Sequence, residues 1–250
     1  MIPKIIHLCW LSGEPYPDKI SKCISTWKKH LPDYEIMLWD TNRFDISSTI
    51  WTKQAFEAKK YAFVADYVRF YAVYNYGGIY FDSDVEVLKS FDDLLSLPYF
   101  IGKESNEEDL EVAVFGAEKG TKWVQLCLEY YQSRSFINAD GSYDTVVCPK
   151  VINKVLNQEF KKINIYRTNE YVMDENTICI LPMNWFCAHS VNESTREAKY
   201  LVTPETYSVH HFAHSWWGIF PGGPLHKLYY KITGKDWHQH YYGRWDLIQK

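Results

Sequence analysis

The 250-residue sequence lacks an excess of basic residues. Its 27 lysines and arginines face 31 aspartates and glutamates, which gives a formal net charge of −4 and a pI near 6.1. A chain with this charge has no general attraction for a polyanion, so we expect no nucleic-acid partner.

Long hydrophobic runs are absent as well. No apolar stretch approaches the 18 residues of a membrane-spanning helix, and no signal peptide precedes the first predicted strand. We therefore expect a cytoplasmic protein. Any membrane contact is expected to be peripheral, at the inner face, through the C-terminal tail.

Cysteine pairs of the C-x-x-C kind are missing, although the chain has six cysteines. This spacing does not favour a zinc site. Cys9 falls in a predicted strand and Cys23 on the apolar face of a predicted helix, so both are predicted to be buried free thiols in a reducing compartment. Because no repeat or linker divides the chain either, we predict one domain over residues 1–250.

Aromatic residues, in contrast, are abundant at 17% of the chain, with 20 tyrosines and 10 tryptophans. Ring faces pack against the apolar faces of sugars, but cores and interfaces also use many aromatics. The composition is therefore compatible with carbohydrate binding and does not establish it.

The hydrophobic pattern predicts an α/β fold. A short strand at 4–10, a helix that Asp18 can cap, and a strand at 35–39 are typical of a parallel βαβ unit. Further elements follow along the chain. Helices are predicted at 60–76, 122–132 and 149–156, and strands at 78–81, 112–115, 163–166, 178–181 and 207–211.

Two aspartates, Asp82 and Asp84, follow the apolar strand at 78–81. Like charges this close raise each other's pKa unless a cation or a hydrogen-bond donor shares them. Hard divalent metals that also bind phosphate oxygens prefer one or two carboxylates, with other positions left to water and substrate. The carboxyl end of a strand in an open α/β sheet is where ligands bind. The motif therefore indicates a metal site, although a solvated turn would also explain an isolated Asp-x-Asp.

Asp66 and Arg69 lie three residues apart, and so on one face of the predicted helix that precedes this strand. The helix is otherwise aromatic and aliphatic, which makes full solvation of the pair unfavourable. A partly buried aspartate and arginine near a metal site would suit sugar hydroxyls and a diphosphate. A simple ion pair is the alternative.

These motifs resemble glycosyltransferase family 32. The resemblance comes from Ala-Asp-x-x-Arg followed by Gly-Gly-x-Tyr-x-Asp-x-Asp, which is similar to the family's Asp-x-Asp sugar-binding region. The opening segment 2–11 is similar to the family's first strand, and the segment 209–216 to its C-terminal His-and-Trp segment. The family includes fungal initiating mannosyltransferases and capsule and exopolysaccharide enzymes, and the glucosylating clostridial toxins carry a similar region.

The resemblance implies a GT-A type fold, with a Rossmann-like, mostly parallel sheet flanked by helices and an aromatic-rich C-terminal lid or tail. It divides the single domain into a nucleotide-sugar-binding half at 1–116, an acceptor half at 117–220 and a tail at 221–250. It also implies a retaining transferase that uses Mn²⁺ or Mg²⁺. The enzyme would move a hexose from a nucleotide sugar, UDP-linked by expectation, to a saccharide or lipid-linked oligosaccharide in surface-glycan synthesis.

Site roles are carried over from the same resemblance. Asp84, Asp82 and His210 would bind metal, with His211 and His214 as local competitors of His210. Trp10 would stack on the nucleotide base, and Trp216 would approach the leaving group. The predicted donor contacts are Leu8, Trp10, Ala65, Asp66, Arg69, Tyr80, Asp82 and Ser83, of which Asp66, Arg69 and Asp82, with Trp216, are also the predicted catalytic residues.

Other assignments stay open. Asp109, Glu111 and Asp144 are weak candidates for acceptor contact, and no residue stands out as a covalent nucleophile. A toxin-like effector that glycosylates a protein is an alternative within the fold. A non-catalytic carbohydrate-binding domain or a metal-dependent phosphohydrolase would leave some of these motifs unexplained.

Overall fold

A computed structural model describes residues 1–104, 109–187, 189–191 and 198–212. The chain divides into two compact units, Met1–His211 and Phe212–Lys250. All described residues except Phe212 belong to the first unit. Trp216, His214 and the tail at 221–250 lie outside the described residues, so the predictions that concern them remain predictions.

Six helices and eleven strands make up the described part of the first unit. The helices are α1 (Asp18–His30), α2 (Ile50–Glu57), α3 (Tyr61–Tyr76), α4 (Lys122–Gln132), α5 (Cys148–Glu159) and α6 (Met183–Phe186). The strands are β1 (Ile5–Cys9), β2 (Glu35–Trp39), β3 (Gly78–Phe81), β4 (Val85–Val87), β5 (Tyr99–Lys103), β6 (Leu110–Ala117), β7 (Lys161–Asn164), β8 (Thr177–Ile180), β9 (His189–Val191), β10 (Ala198–Tyr200) and β11 (Ser208–His210). None of the helices in the described ranges has the length and apolarity to span a bilayer.

A five-stranded sheet of order β2-β1-β3-β6-β5 forms the centre. Strand β1 pairs in parallel with both β2 and β3, whereas β6 is antiparallel to β3 and to β5. Four of the five strands thus run in one direction and only β6 is reversed. The predicted α/β class with a mostly parallel sheet is confirmed, and core side chains pack on both faces of the sheet.

Helix α1 forms the crossover of the predicted βαβ unit. Its stripe of Ile20, Cys23 and Trp27 is buried, and the Trp27 indole donates to the Val85 carbonyl at 2.7 Å. The predicted cap is wrong in detail. Pro17 occupies the N-cap position without a side-chain hydrogen bond, and Asp18 is the first helical residue, where its charge suits the helix dipole.

Helix α3 ends at two glycines that turn the chain directly into β3. Gly77 has φ +67° and Gly78 has φ +109°, a region that L side chains rarely adopt. A Cβ on Gly78 would also lie 2.6 Å from the Ile5 carbonyl oxygen. Because α3 runs back along the sheet, its first turns lie near the carboxyl end of β3.

The sequence pattern missed the helices α2 and α6 and the strands β4, β5, β9 and β10. Strand β5 is buried along almost its whole length, so it shows no alternation of apolar and polar residues. Strand β4 has only three residues and is recognisable only from its antiparallel partner β11. This pairing of β4 with β11 places His210 beside the turn that contains Asp82 and Asp84.

Candidate active site

The Asp-x-Asp motif forms a turn between β3 and β4. The Val85 amide donates to the Asp82 carbonyl at 3.1 Å, and the Asp82 amide donates to the Ala113 carbonyl at 2.8 Å. The turn therefore lies at the carboxyl end of β3, as predicted. The Asp82 side chain is 28% exposed and that of Asp84 is 10% exposed, so one carboxylate faces solvent more than the other.

Strand β11 brings His210 to this turn. His210 lies opposite Val85 in the β4–β11 pair, and the next amide, that of His211, donates to the Asp84 carbonyl at 3.2 Å. The His210 Nε2 atom is 3.6 Å from Asp84 Oδ1. Ligand atoms of Asp82, Asp84 and His210 all lie within 4.8 Å of one another. The three predicted metal ligands are thus brought together by the fold.

A buried glutamate lies on the other side of the imidazole. Glu111 Oε2 is 3.4 Å from His210 Nδ1, and Glu111 Oε1 accepts a 2.7 Å hydrogen bond from the Ala113 amide. This leaves Nε2 directed at Asp84. A carboxylate behind a histidine fixes the ring orientation and the tautomer in many metal sites. Cys187 lies in the same group, because its sulfur and ligand atoms of Glu111 and His210 are also within 4.8 Å of one another.

The charges of this cluster favour a cation. Burial alone would lower the pKa of His210, but the carboxylates of Glu111 and Asp84 outweigh it and raise that pKa to about 10. Burial likewise opposes ionisation of Glu111, yet the His210 charge holds its pKa below the usual value. Burial and the nearby Glu111 charge raise the pKa of Glu104 to about 8. The space between Asp84 and His210 therefore stabilises positive charge.

The competing histidines are placed differently. His211 Nε2 lies 2.8 Å from Glu86 Oε2, which directs this ring to Glu86. Among the described histidines, only His210 has a ring nitrogen in the group formed with Asp82 and Asp84.

Asp66 and Arg69 form a buried pair behind the turn. Arg69 Nη2 donates to Asp66 Oδ1 at 2.8 Å, and Arg69 Nη1 donates to the Val112 carbonyl at 2.9 Å. The same Nη1 is 3.6 Å from Asp82 Oδ2. Burial raises the pKa of Asp66 to about 6, against the opposing effect of Arg69. The two residues do pair with each other, and their predicted contact with the donor stays a prediction.

Tyr80 holds the first aspartate of the motif. Its hydroxyl donates to Asp82 Oδ1 at 2.7 Å, while its ring is buried and lies 4.8 Å from the Arg69 guanidinium. This contact orients Asp82 from within the protein. With 1% of its surface exposed, Tyr80 packs in the core, and its predicted contact with the donor stays a prediction.

Trp10 follows β1 at the same edge of the sheet. The register of β1 and β3, with His7 opposite Tyr80, places Trp10 level with the Asp-x-Asp turn. The ring is half-buried, packs edge-on against Tyr16 with centroids 5.0 Å apart, and donates to the Glu14 carbonyl at 2.7 Å. This position is compatible with the predicted stacking on a base.

The other predicted donor contacts differ in exposure. Ala65 and Ser83 are half-buried and stay open to a ligand. Leu8 is 2% exposed and packs in the core on one face of the sheet. The predicted contact of Leu8 with the donor stays a prediction.

The three candidate acceptor residues are also separated by the fold. Glu111 is fully buried behind His210 and is not available to an acceptor. Asp144 is 9% exposed and accepts a 2.7 Å hydrogen bond from Arg134. Asp109 lines a cavity next to the cluster. Sequence reasoning missed the positioning role of Glu111 and the place of Cys187, since both depend on contacts between distant segments.

Comparison with known proteins finds similar sequences for the part of the chain that contains Asp82 and Asp84. Residues 17–101 match the glycosyltransferase sugar-binding region containing the DXD motif. Over 123 residues the chain is 32% identical to inositol phosphoceramide mannosyltransferase 3 of Schizosaccharomyces pombe, covering 48% of this chain and 34% of that protein. Over 112 residues it is 32% identical to mannosyl phosphorylinositol ceramide synthase SUR1 of Saccharomyces cerevisiae, covering 42% of this chain and 28% of that protein. The chain spans about a third of the length of these relatives.

Among solved structures, the chain is similar to the PaToxG glycosyltransferase at 21% identity and a TM-score of 0.45, covering 63% of this chain and 69% of that one. The sequence resemblance to glycosyltransferase family 32 is confirmed by the match at residues 17–101. The chain therefore contains a glycosyltransferase sugar-binding region of the DXD type.

Proposed function

We propose that this chain is a metal-dependent glycosyltransferase that moves a hexose from a nucleotide sugar to a saccharide or lipid-linked saccharide acceptor. The observation that carries the proposal is the pairing of β11 with β4. It places His210 Nε2 3.6 Å from Asp84 Oδ1 at the carboxyl end of β3, and Asp84 lies inside the matched DXD region.

The residues fit a hard divalent cation. Two carboxylates and one imidazole are ligands that Mn²⁺ and Mg²⁺ accept, and they leave coordination positions for diphosphate oxygens and water. The carboxylates of Glu111 and Asp84 raise the pKa of His210, and the same negative charges would support a bound cation. A cation held by Asp82, Asp84 and His210 would neutralise the departing diphosphate as a Lewis acid.

The chain's own residues have separate tasks in this proposal. Tyr80 and Arg69 orient Asp82, and Glu111 orients His210. Trp10 stacks on the base, and Asp66 with Arg69 contacts the sugar or the diphosphate. Retention of the anomeric configuration, which the family resemblance implies, needs no protein nucleophile if the leaving diphosphate oxygen takes the acceptor's proton.

A donor screen tests the proposal. The purified protein is offered UDP-Gal, UDP-Glc, UDP-GlcNAc and GDP-Man with Mn²⁺, and nucleotide release is followed with and without EDTA. We expect release from one donor, UDP-linked on the sequence-based expectation. The GDP-Man arm covers mannosyl transfer, which the names of the fungal relatives suggest. No release from any donor would contradict the proposal.

Substitution of Asp84 tests the metal assignment. Asp84→Asn should lose nearly all turnover, because a neutral amide is a weak ligand for a hard cation. The matched control is Glu86→Gln, two residues further along, whose carboxylate pairs with His211 and lies outside the three-residue group. If both variants keep full turnover, Asp84 does not hold a required metal.

Two finer points belong to the same proposal. We place the activity in the synthesis of capsule, exopolysaccharide or another surface glycan, with the enzyme in the cytoplasm or peripherally on the inner face of the membrane. Cell fractionation and the glycan profile of a deletion strain test both. A toxin-like effector would instead label a protein acceptor in the presence of the same donor.

A further inference from the structure

A second group of metal-ligand atoms lies behind the candidate active site. It consists of Glu111, Cys187 and His210, and one ligand atom of each lies within 4.8 Å of the other two. The group shares only His210 with the set formed by Asp82 and Asp84. Its donors are one carboxylate oxygen, one sulfur and one imidazole nitrogen. These are the three ligand types of zinc sites in proteins.

The spacing within the group suits a tetrahedral ion. Glu111 Oε2 is 3.4 Å from His210 Nδ1. Zinc–nitrogen and zinc–oxygen bonds of about 2.1 Å at a tetrahedral angle separate the two ligand atoms by about 3.4 Å. The oxygen and the nitrogen are therefore already at the spacing of zinc ligands, and the Cys187 sulfur is the third ligand atom of the group.

Hydrogen bonds hold the elements that carry the three residues. Glu111 lies in β6, and its Oε1 atom accepts a 2.7 Å hydrogen bond from the Ala113 amide, which leaves Oε2 for a ligand role. Cys187 directly follows α6. The Ser208 hydroxyl of β11 donates to the Phe186 carbonyl of α6 at 3.0 Å. This bond joins the end of α6 to the strand that carries the histidine.

Burial makes the charge balance of the group important. Glu111 and Cys187 have no exposed surface, and His210 is 9% exposed. Glu111 Oε2 has no hydrogen bond of ordinary geometry within the described ranges, and such a buried oxygen is unfavourable unless a cation or a donor compensates it. A thiolate and a carboxylate together neutralise one Zn²⁺. Coordination would replace the contacts that the thiol and the imidazole already make, so the site does not require either group to be free.

The sulfur distinguishes this group from the Asp-x-Asp turn. A thiolate is a soft ligand that favours Zn²⁺, whereas Mg²⁺ and Mn²⁺ prefer oxygen ligands. Cys187 therefore gives the second group a preference for zinc, while the two aspartates of the turn suit the harder ions. The two ligand sets thus select different metals although they lie side by side.

Both ligand sets need the same imidazole. The Nε2 atom of His210 is directed at Asp84, and its Nδ1 atom is directed at Glu111. A neutral imidazole has a free lone pair on only one of its two nitrogens, because the other nitrogen carries the proton. An ion bound to Nδ1 therefore leaves the proton on Nε2. Nε2 is then no longer a ligand for an ion at the Asp-x-Asp turn.

We propose that Glu111, Cys187 and His210 form a second metal site, which binds Zn²⁺ and competes with the Asp-x-Asp turn for the His210 imidazole. The thiol releases its proton to water when it binds the ion, and the fourth coordination position is left to water. Zinc would therefore inhibit the enzyme. The inhibition rests on the proposed function, whereas zinc binding by these three residues does not. The cysteine spacing gave no sign of this site, because its ligands come from three distant segments.

X-ray absorption at the zinc edge tests the ligand set. In the wild-type protein with one equivalent of Zn²⁺, we expect one sulfur at about 2.3 Å and nitrogen or oxygen ligands at about 2.0–2.1 Å. Cys187→Ser should lose the sulfur. Cys127→Ser, which removes an equally buried thiol outside both groups, should keep it. A wild-type spectrum without sulfur would overturn the proposal even if Cys187→Ser does not fold, and so would an unchanged spectrum of that variant.

Competition between the two sites is measured by the electron paramagnetic resonance of free Mn²⁺. One equivalent of Zn²⁺ should release Mn²⁺ from the wild-type protein. Cys187→Ser should keep its Mn²⁺ until the zinc concentration is at least about tenfold higher, since loss of a contact in a metal site costs at least that factor. Equal release from the two proteins would contradict the shared imidazole and place the zinc at the Asp-x-Asp turn.

Turnover separates this proposal from the proposed function. Nucleotide release with Mn²⁺ is measured at increasing Zn²⁺ concentration. Cys187→Ser should keep the rate without zinc and need at least about tenfold more zinc for half inhibition than the wild type. Equal inhibition of the two proteins would contradict the second site. If the wild-type protein releases nucleotide from no donor, the glycosyltransferase proposal fails instead, and the zinc spectrum alone decides whether the second site exists.

Discussion

Individual side chains in this protein owe their chemical state to buried partners. Glu111 and His210 stabilise each other's charged forms, and Tyr80 and Arg69 determine the orientation of Asp82. None of these three contacts joins neighbours on one turn of a helix. The aspartates of the motif are therefore only part of a site whose geometry depends on the residues behind them.

The Glu111 contact gives a prediction about metal affinity. Glu111→Gln keeps the size of the side chain and an oxygen for the Ala113 amide, but it removes the charge beside His210 Nδ1. Substitution of such supporting carboxylates typically weakens metal binding 10- to 100-fold, so we expect about that loss for Mn²⁺. Calorimetric titration measures it, with Asp144→Asn, a buried carboxylate outside the cluster, as the control. An unchanged Mn²⁺ affinity would show that Glu111 does not position His210.

His7 gives a prediction about pH. Its Nδ1 accepts from the Trp39 indole at 3.1 Å and its Nε2 lies 2.7 Å from the Gly77 carbonyl, so the buried ring is a neutral tautomer. Burial lowers the pKa of His7 to about 4. Because the unfolded chain takes up this proton near pH 6.5, the contribution of His7 to stability is complete above pH 6.5 and is lost as the pH falls towards 4.

The expected size is about 3 kcal/mol of unfolding free energy across this interval, at about 1.4 kcal/mol per pH unit. Denaturant unfolding at several pH values measures it. Residue 7 cannot titrate in the variant His7→Gln. Between pH 6.5 and 4 its unfolding free energy should therefore fall by about 3 kcal/mol less than that of the wild type. Parallel pH profiles for the two proteins would exclude a low pKa for His7.

At the scale of elements, the connection from α3 to β3 is constrained by backbone conformation and by close packing. The helix ends and the strand begins without an intervening loop, because Gly77 and Gly78 both adopt positive φ. The strand starts in contact with β1, whose Ile5 carbonyl leaves no room for a side chain at Gly78. This close approach fixes the position of β3 relative to β1. It thereby determines where Asp82 and Asp84, which follow β3, lie at the edge of the sheet.

We expect Gly78→Ala to be strongly destabilising. Backbone strain at φ +109° contributes on the order of 1–3 kcal/mol, and the contact with the Ile5 carbonyl adds to it. Gly120→Ala is the matched control, since Gly120 has φ +79° and nothing within 4 Å of its added Cβ. It should lose only about 1–2 kcal/mol, the cost of the left-handed conformation alone. Equal losses in the two variants, measured by denaturant unfolding, would rule out a steric role for Ile5.

At the scale of the molecule, the site joins three distant parts of the chain. The turn after β3 supplies Asp82 and Asp84, the start of β6 supplies Glu111, and β11 supplies His210. Tyr207 anchors the start of β11. Its amide donates to the Trp185 carbonyl at 2.7 Å, and its hydroxyl donates to Asp93 Oδ2 at 2.6 Å. His210 therefore lies on a strand that Tyr207 anchors and that pairs with β4.

Hydrogen exchange tests whether β11 is preformed. Amides of residues 208–211 should be protected in the absence of nucleotide and metal, because these residues form the β4–β11 pair and His211 donates to the Asp84 carbonyl. The amides of 168–170 in an exposed turn provide the internal reference. If 208–211 exchange as fast as that turn, then His210 reaches the turn only when a ligand binds. That result would support the predicted C-terminal lid, of which His210 is a part.

The sequence by itself determined the features that depend on neighbours along the chain. The period of the apolar residues predicted α1 and α3, the two glycines marked the end of α3, and Asp82 and Asp84 after an apolar strand marked the site. Only the tertiary structure decided which histidine joins them, since the His210 ring lies beside Asp84 whereas the ring of the next residue, His211, contacts Glu86. Glu111 shows the same limit. Its sequence position suggested contact with an acceptor, but pairing of β6 with β3 buries it behind His210, because a strand's neighbours in the sheet determine what each of its faces meets.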